Sequence, residues 1–223
     1  LHPRRDLEGL RVLVTAGPTM ERIDPVRYLT NDSSGKMGYA IAAAAQARGA
    51  SVTLVSGPVH LTAPAGVSVV PVMSTQNLYD AMMTHCASQD VIIQAAAPAD
   101  YRPAVMAPEK LKKQDGQPFV LTLVENPDVA KAVGEQKKPG QILVGFAAET
   151  EHLLENAQKK LDKKHLDMIV ANDVTQAGAG FGVDTNIVTL ISHQGMKSLP
   201  LLSKTEVADR ILDQVAVLRA QTH

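Results

Sequence analysis

The sequence is poor in cysteine and in aromatic residues, and it carries almost no net charge. Cys86 is its single cysteine, so no internal disulfide can form, which agrees with a reducing cytoplasm. Aromatic residues make up 3% of the 223 residues, too few to stack the successive bases of a single strand. The formal net charge of -1 also argues against a nucleic-acid partner, and no apolar run reaches the length of a membrane span. We therefore expect a cytoplasmic protein that binds neither nucleic acid nor membrane.

Apolar runs typical of buried strands alternate with helical patterns through the first half of the chain. The pattern predicts strands at 11–15, 52–55, 67–72 and 91–93, and helices at 37–48 and 75–87. This alternation predicts a parallel sheet with right-handed crossovers. Such sheets bind ligands beyond the carboxyl ends of their strands. The segments 15–36, 56–66 and 94–113 are therefore the first places to look for a site.

The second half of the chain is less regular. It predicts strands at 119–124, 142–147 and 168–171, helices at 127–133, 151–164 and 205–218, and a glycine-rich loop at 175–185. An antiparallel pair is expected between 187–192 and 199–201. The predicted fold class is α/β: a mostly parallel sheet with helices on both faces and a few additional antiparallel strands. We assign it to residues 10–223, after a polar linker at 1–9.

Small and polar residues follow two strands and precede one helix. Thr15–Thr19 and Ala95–Pro103 are rich in small residues, which let the backbone approach a ligand closely. Before the helix at 37–48, Ser33 or Ser34 can act as the N-cap, and helix N-terminal amides favour anions. An ordinary turn, plain helix capping and a surface pair between Asp100 and Arg102 explain these segments without a ligand.

Lysines form two groups that are distant in sequence. One group lies in a proline-containing loop, and Lys160 and Lys164 are four residues apart on one face of a predicted helix; the loop group is Lys110, Lys112 and Lys113. The two groups could converge on a polyphosphate, whereas solvated surface lysines are the simpler interpretation for each one alone. The seven histidines are scattered without a Cys/His cluster, so no protein metal site is expected.

These segments together resemble phosphopantothenoylcysteine synthetase in its bacterial CTP-dependent form. The matching stretches run in the family's order over nearly the whole chain: 15–19, 24–28, 31–38, 95–102, 107–113, 126–128, 145–150 and 171–174. The resemblance implies a Rossmann-like α/β domain that ligates 4'-phosphopantothenate and L-cysteine. CTP would activate the acid as an acyl-cytidylate with release of pyrophosphate, and CMP would leave when the cysteine amine attacks. Magnesium would arrive with the triphosphate.

The resemblance also implies roles for individual residues. Asn31 and Lys110 match catalytic positions, and Asn31 is expected to grip the substrate carboxylate. Nucleotide-binding positions of the family correspond to a scattered set: Gln94, Ala95, Ala96, Asp100, Lys110, Pro127, Asp128, Val129, Ala130, Phe146, Lys160 and Lys164. The family works as a homodimer in which an element of one protomer reaches toward the other's site, and segment 102–118 is our candidate for it. In many bacteria the unit is fused to a flavin-dependent phosphopantothenoylcysteine decarboxylase.

Two other functions compete with this interpretation. An NAD(P)-dependent oxidoreductase would use the same fold class, but the chain lacks the G-x-G-x-x-G motif that such enzymes carry. A non-enzymatic nucleotide-binding module would bind CTP and release no pyrophosphate.

Overall fold

The computed structural model describes residues 4–113, 115–149, 153–173, 180 and 182–222. Five α-helices lie in the described residues: α1 Lys36–Ala47, α2 Thr75–His85, α3 Val129–Glu135, α4 Leu153–Lys163 and α5 Lys204–Thr222. The first strands are β1 Arg11–Ala16, β2 Glu21–Arg22, β3 Tyr28–Leu29, β4 Ser51–Ser56, β5 Ser68–Pro71, β6 Val91–Gln94 and β7 Tyr101–Pro103. The remaining strands are β8 Leu123–Glu125, β9 Ile142–Glu149, β10 Met168–Asp173, β11 Thr185–Asn186, β12 Val188–Ser192, β13 Gly195–Ser198 and β14 Leu202–Ser203.

The described strands form one eight-stranded sheet and three two-stranded pairs. The main sheet has the order β13-β12-β10-β9-β6-β1-β4-β5. The strands from β10 to β5 are parallel, while β12 and β13 are antiparallel to their neighbours. The predicted α/β fold class, with a mostly parallel sheet and additional antiparallel strands, is therefore confirmed.

Helices cover both faces of the sheet. Successive residues of each buried strand point to opposite faces, so each strand contributes side chains to two core clusters. In β1, Val12 and Val14 belong to the core cluster that includes α1 and α5, whereas Leu13 belongs to the cluster with α2, α3 and α4. The continuous apolar runs that predicted the strands are the direct result of this double burial.

Two predicted elements need correction. The strand predicted at 119–124 is reduced to β8, which pairs with β7 outside the main sheet; Val120, within the predicted span, is 82% exposed. The antiparallel hairpin predicted for 187–192 is confirmed, but its second strand is β13 and not 199–201; of the predicted strand, Leu199 donates its N–H to the Val188 carbonyl oxygen at 2.9 Å. His193 and Gln194 form a two-residue turn between Ser192 and Gly195, so pairing begins directly after it.

The segment assigned to a linker contacts the domain. Leu7 is 1% exposed, and its N–H donates to the carbonyl oxygen of Arg48 at 3.1 Å. The carboxylate of Asp6 lies 2.6 Å from the guanidinium of Arg48. The side chain of Leu7 thus belongs to the core, and the boundary at residue 10 stays a prediction.

None of the helices in the described part of the chain combines the length and apolarity needed to cross a bilayer.

Candidate functional site

The carboxyl end of the parallel sheet carries a cleft of about 440 Å³, here named the first cavity. Residues that follow β6 and β8, and residues within β9, meet residues of α3 and α4 in its wall. Most of the predicted nucleotide-binding residues line it: Gln94, Ala96, Asp100, Pro127, Asp128, Val129, Ala130, Phe146, Lys160 and Lys164. Segments that are distant in sequence therefore converge where the strand topology predicts a ligand.

Lys160 in α4 and Lys164, directly after that helix, bring positive charge to this cavity. Lys164 lies 3.0 Å from the carboxylate of Asp128, which also accepts a hydrogen bond of 3.0 Å from the backbone N–H of Lys131 at the start of α3. Burial alone would raise the pKa of Asp128. The Lys131 N–H and the Lys164 ammonium outweigh burial, and the pKa is lowered. Asp128 is therefore an anion at neutral pH, and it holds Lys164 in the cavity wall.

A second cavity of about 380 Å³ lies beside the first. The N-terminal end of α1 with Lys36, residues that follow β6, and residues within β9, β10 and β11 line it, together with Lys204. Ala95, another predicted nucleotide-binding residue, lines this second cavity. Both cavities share one wall made of the same five residues: Ala96, Pro98, Asp100, Phe146 and Lys160. Ligands bound in the two cavities would therefore meet at this shared wall.

The start of α1 differs from the prediction that a serine caps it. Gly35, in the left-handed region at φ 77°, is the N-cap residue, and the Ser34 hydroxyl oxygen accepts a long hydrogen bond of 3.4 Å from the backbone N–H of Lys36. A Cβ at Gly38 would lie 2.5 Å from the Cβ of Ala16 and 2.8 Å from the carbonyl oxygen of Thr15. Only glycine at this position lets α1 start so close to the end of β1.

Asn31 ties the approach to α1 to the loop that follows β6. Its Nδ2 donates to the carbonyl oxygen of Ala97 at 2.7 Å, and its Oδ1 accepts from the backbone N–H of Ser33 at 3.1 Å. Ala97 in turn lines the second cavity. Asn31 thus lies beside the cavity and supports its wall, and its predicted catalytic role stays a prediction.

Two other expectations concern the edges of the site. Arg102 donates to the backbone oxygen of Glu125 at 2.6 Å and to Asn126 Oδ1 at 3.1 Å, so the surface pair between Asp100 and Arg102 is not formed. Lys110 is exposed and lines neither the first nor the second cavity of its own chain. Its role in nucleotide binding therefore stays a prediction.

Sequence reasoning assigned no role to four residues that line the second cavity: Lys36, Asn172, Asn186 and Lys204. Asn172 occupies the end of β10, so the rule that ligands bind at carboxyl ends could have found it. Asn186 and Lys204 offered no such signal. They reach the site through the pairing of β11 with β14, in which Asn186 is opposite Leu202.

An open, mostly parallel sheet with a lysine-bearing crevice at its carboxyl ends defines an α/β protein with a site for an anionic ligand. The chain belongs to the family described as the DNA/pantothenate metabolism flavoprotein C-terminal domain, whose profile matches residues 7–218. The predicted family resemblance is thereby confirmed.

Relatives and solved structures agree with this assignment. The chain is 49% identical over 215 residues to the coenzyme A biosynthesis bifunctional protein CoaBC of Vibrio vulnificus, covering 96% of this chain and 54% of that protein. It is 50% identical over 218 residues to the same protein of Bacillus subtilis, covering 97% and 53%. The crystal structure of the C-terminal domain of a CoaBC protein superposes with a TM-score of 0.83 at 45% identity, covering 97% of this chain and 99% of that one. The chain thus spans about half the length of the curated relatives it matches.

Proposed function

We propose that the chain is a CTP-dependent ligase that joins 4'-phosphopantothenate to L-cysteine. The observation that carries the proposal is the wall shared by the two cavities, Ala96, Pro98, Asp100, Phe146 and Lys160. A nucleotide in the first cavity and an acid in the second would meet at this wall. Adjacent binding of two reactants makes their reaction effectively intramolecular, which removes much of the entropic part of the barrier.

The chemistry has two displacements. A carboxylate oxygen of phosphopantothenate attacks the α-phosphorus of CTP, and the bond to pyrophosphate breaks. The cysteine amine then attacks the acyl carbon, loses a proton, and the bond to the CMP oxygen breaks. Phosphoryl transfer depends mainly on positioning and on neutralising charge. Lys160 and Lys164 line the first cavity and supply that charge in the proposal.

The residues fit a magnesium ion that arrives with the triphosphate. Magnesium keeps several of its waters and needs only one or two protein carboxylates when phosphates supply the other oxygens. Asp100 offers a carboxylate in both cavities, and the described residues contain no group of three His, Cys, Asp or Glu that could hold a metal by themselves. The ion would neutralise phosphate charge, and Asp100 would orient it.

We also propose a homodimer in which Lys110 acts on the partner's site. Seven large apolar side chains are exposed around the segment that carries it: Tyr101, Val105, Met106, Phe119, Val120, Leu123 and Val124. Apolar side chains concentrated in this way are typical of a protein–protein contact. A segment that buries them on a second protomer would bring Lys110 toward that protomer's cavities. Cytoplasmic location and natural fusion to a flavin-dependent decarboxylase complete the proposal.

A pyrophosphate-release assay tests the ligase. With CTP and phosphopantothenate we expect release without cysteine to stop near one equivalent, and cysteine to restore turnover. ATP should support less turnover, because a site that hydrogen-bonds the cytosine edge leaves those groups unpaired against adenine. Equal turnover with ATP would contradict the nucleotide assignment. Nucleotide binding without any pyrophosphate release would identify a non-enzymatic binding module instead.

Mixing two inactive variants tests the action of Lys110 across the dimer. Lys110→Gln and Asn31→Asp damage different residues of one composite site. If Lys110 serves the partner, the mixed dimer keeps one intact site out of two, so re-equilibrated mixtures should recover about a quarter of wild-type activity. If Lys110 serves its own chain, every site carries a damaged residue and no activity returns.

A further inference from the structure

Two buried asparagines in the second cavity have side-chain oxygens without hydrogen-bond donors. Asn172 is 8% exposed and Asn186 is 3% exposed. Within the described part of the chain, neither Oδ1 atom accepts a hydrogen bond. Buried polar groups are nearly always paired, because leaving one unpaired costs stability. Two unpaired acceptors in the wall of one cavity therefore indicate a ligand with hydrogen-bond donors.

The fold places both amides on the same part of the cavity wall. Asn172 is the register partner of Val188 in the pairing of β10 with β12. Asn186 precedes Val188 by two residues and pairs with Leu202 in the short β11–β14 ladder. Because the sheet register fixes Asn172 and the ladder fixes Asn186, the two amides are held on rigid elements rather than on loops.

Three lysines and one aspartate line this cavity: Lys36, Lys160, Lys204 and Asp100. The Lys204 ammonium is buried and donates to the carbonyl oxygens of Gly180 at 3.0 Å and Val183 at 2.5 Å. Lys36, in the first turn of α1, lies 2.7 Å from Asp184, whose carboxylate is 88% exposed. Burial, and then the charge of Lys36, lower the pKa of Lys204, as expected for two ammonium groups that share one region.

This charge distribution selects between the two substrates of the proposed reaction. Free cysteine is a zwitterion: the two lysine ammonium groups would repel its ammonium group and attract its carboxylate, and it carries no neutral N–H or O–H donors for the two asparagines. Phosphopantothenate instead has neutral donors in mid-chain, one amide N–H and one hydroxyl, and a phosphate at the end far from its reacting carboxylate. Two acceptors next to positive charge match that order of groups.

We propose that Asn172 and Asn186 determine specificity for the acyl substrate, accepting hydrogen bonds from the amide N–H and the hydroxyl of its pantothenoyl chain. The phosphate then lies toward Lys36 and Lys204, and the carboxylate points to the wall shared with the first cavity. The inference rests on the proposed ligase function and adds to it the residues that bind the amide and the hydroxyl of the pantothenoyl chain.

The test replaces each asparagine by leucine, which has a similar size and no acceptor. For Asn172→Leu and Asn186→Leu we expect the KM for phosphopantothenate in pyrophosphate release to rise at least about tenfold, since one hydrogen bond is worth roughly that factor. The KM for CTP should stay within about twofold. The melting temperature without ligands should stay equal or rise, because an unpaired buried oxygen is removed.

An analogue with an ester oxygen in place of the amide N–H identifies the contact. The wild type should bind this analogue more weakly than phosphopantothenate, and one of the two leucine variants should show no further loss with it. Asn77→Leu is the matched control. The Asn77 side chain is paired in the capping box of α2, so this change should lower the melting temperature and leave the KM for phosphopantothenate unchanged.

Three results would overturn the inference while leaving the ligase intact. They are an unchanged KM for phosphopantothenate, a rise confined to the KM for cysteine, and a fall in melting temperature as large as that of Asn77→Leu. A wild-type protein that releases no pyrophosphate from CTP and phosphopantothenate would overturn the proposed function and this inference together.

Discussion

The substitution Asn31→Asp is expected to stop the second displacement while leaving the domain folded. The asparagine Nδ2 donates to the Ala97 carbonyl oxygen at 2.7 Å, and its Oδ1 accepts from Ser33 N–H at 3.1 Å. Aspartate can keep the contact to Ser33. It cannot donate to Ala97, and it places a carboxylate oxygen against a carbonyl oxygen. The exchange therefore removes one hydrogen bond and leaves an acceptor of the cavity wall without its donor.

The size of the structural effect follows from that contact. Losing the hydrogen bond and leaving a half-buried carbonyl unpaired costs about 1–3 kcal/mol. For a domain of this length that cost corresponds to a fall in melting temperature of roughly 2–12 °C. A domain stable by about 5–15 kcal/mol remains folded at 25 °C. Loss of activity at that temperature therefore cannot be assigned to unfolding.

The size of the catalytic effect follows from the proposed chemistry. The acyl oxygen gains negative charge when the cysteine amine attacks, so a donor aimed at it stabilises the transition state more than the ground state. Replacing the donor by an anion should lower the rate of the second displacement by a factor of about 10² or more. The first displacement should survive in part, because the attacking carboxylate loses charge there.

The assay follows pyrophosphate and ligated product in the same reaction. We expect pyrophosphate without matching product, together with an acyl-cytidylate detectable by mass spectrometry. If Asn31 only shapes the turn before α1, the Asn31→Asp variant should form product at a rate close to that of the wild type at 25 °C, where the domain remains folded. That result would remove Asn31 from the mechanism.

Three further predictions address other parts of the molecule. Lys110→Gln keeps the side-chain length and removes its charge, so kcat/KM should fall about 10²-fold, and a fall below about threefold would identify a surface lysine. Gly38→Ala would place a Cβ 2.5 Å from the Ala16 Cβ, so the free energy of unfolding measured with denaturant should fall by about 1–3 kcal/mol. In the control Gly182→Ala the new Cβ meets nothing within 4 Å, and the free energy of unfolding should change by no more than about 0.5 kcal/mol. Hydrogen bonding from the Arg27 side chain holds the pKa of Asp24 far below its usual range. Because the folded pKa is depressed, this carboxylate stabilises the fold above its unfolded pKa near 3.8, and the stabilisation is lost as the pH falls through and below that value. Denaturant unfolding should therefore show a shallower loss of stability on acidification for Asp24→Asn than for the wild type, and identical pH profiles would refute this assignment.

The sheet could be predicted from sequence because its parallel strands are buried on both faces. The strands β1, β4 and β6 are short apolar runs bounded by turn residues, and each was predicted within one or two residues. The strand predicted at 119–124 failed for the opposite reason. Phe119 and Val120 are apolar and exposed, and periodicity cannot tell a residue buried in its own domain from one available to a partner.

The site was predictable only where sequence order and spatial order agree. The loop after β6 follows its strand directly, so the carboxyl-end rule located Ala95–Asp100. Lys204 starts the last helix, and it reaches the second cavity only because residues 185–186 pair with 202–203. That pairing joins segments through two-residue strands, which carry too little pattern to be predicted from a single sequence.

The buried thiol of Cys86 offers a way to observe substrate binding without measuring catalysis. Its side chain is 2% exposed, burial raises its pKa, and it shares a core cluster with Leu78 and Val129, which line the first cavity. A thiol reagent reaches it when the core cluster around it opens, so the labelling rate reports the population of that open form. Any ligand that binds the closed cavity must slow the labelling by the factor 1 + [L]/Kd. With one cysteine in the sequence, each labelled molecule carries a single mass increment, so the labelled fraction gives the rate directly and affinities become measurable for variants that no longer turn over.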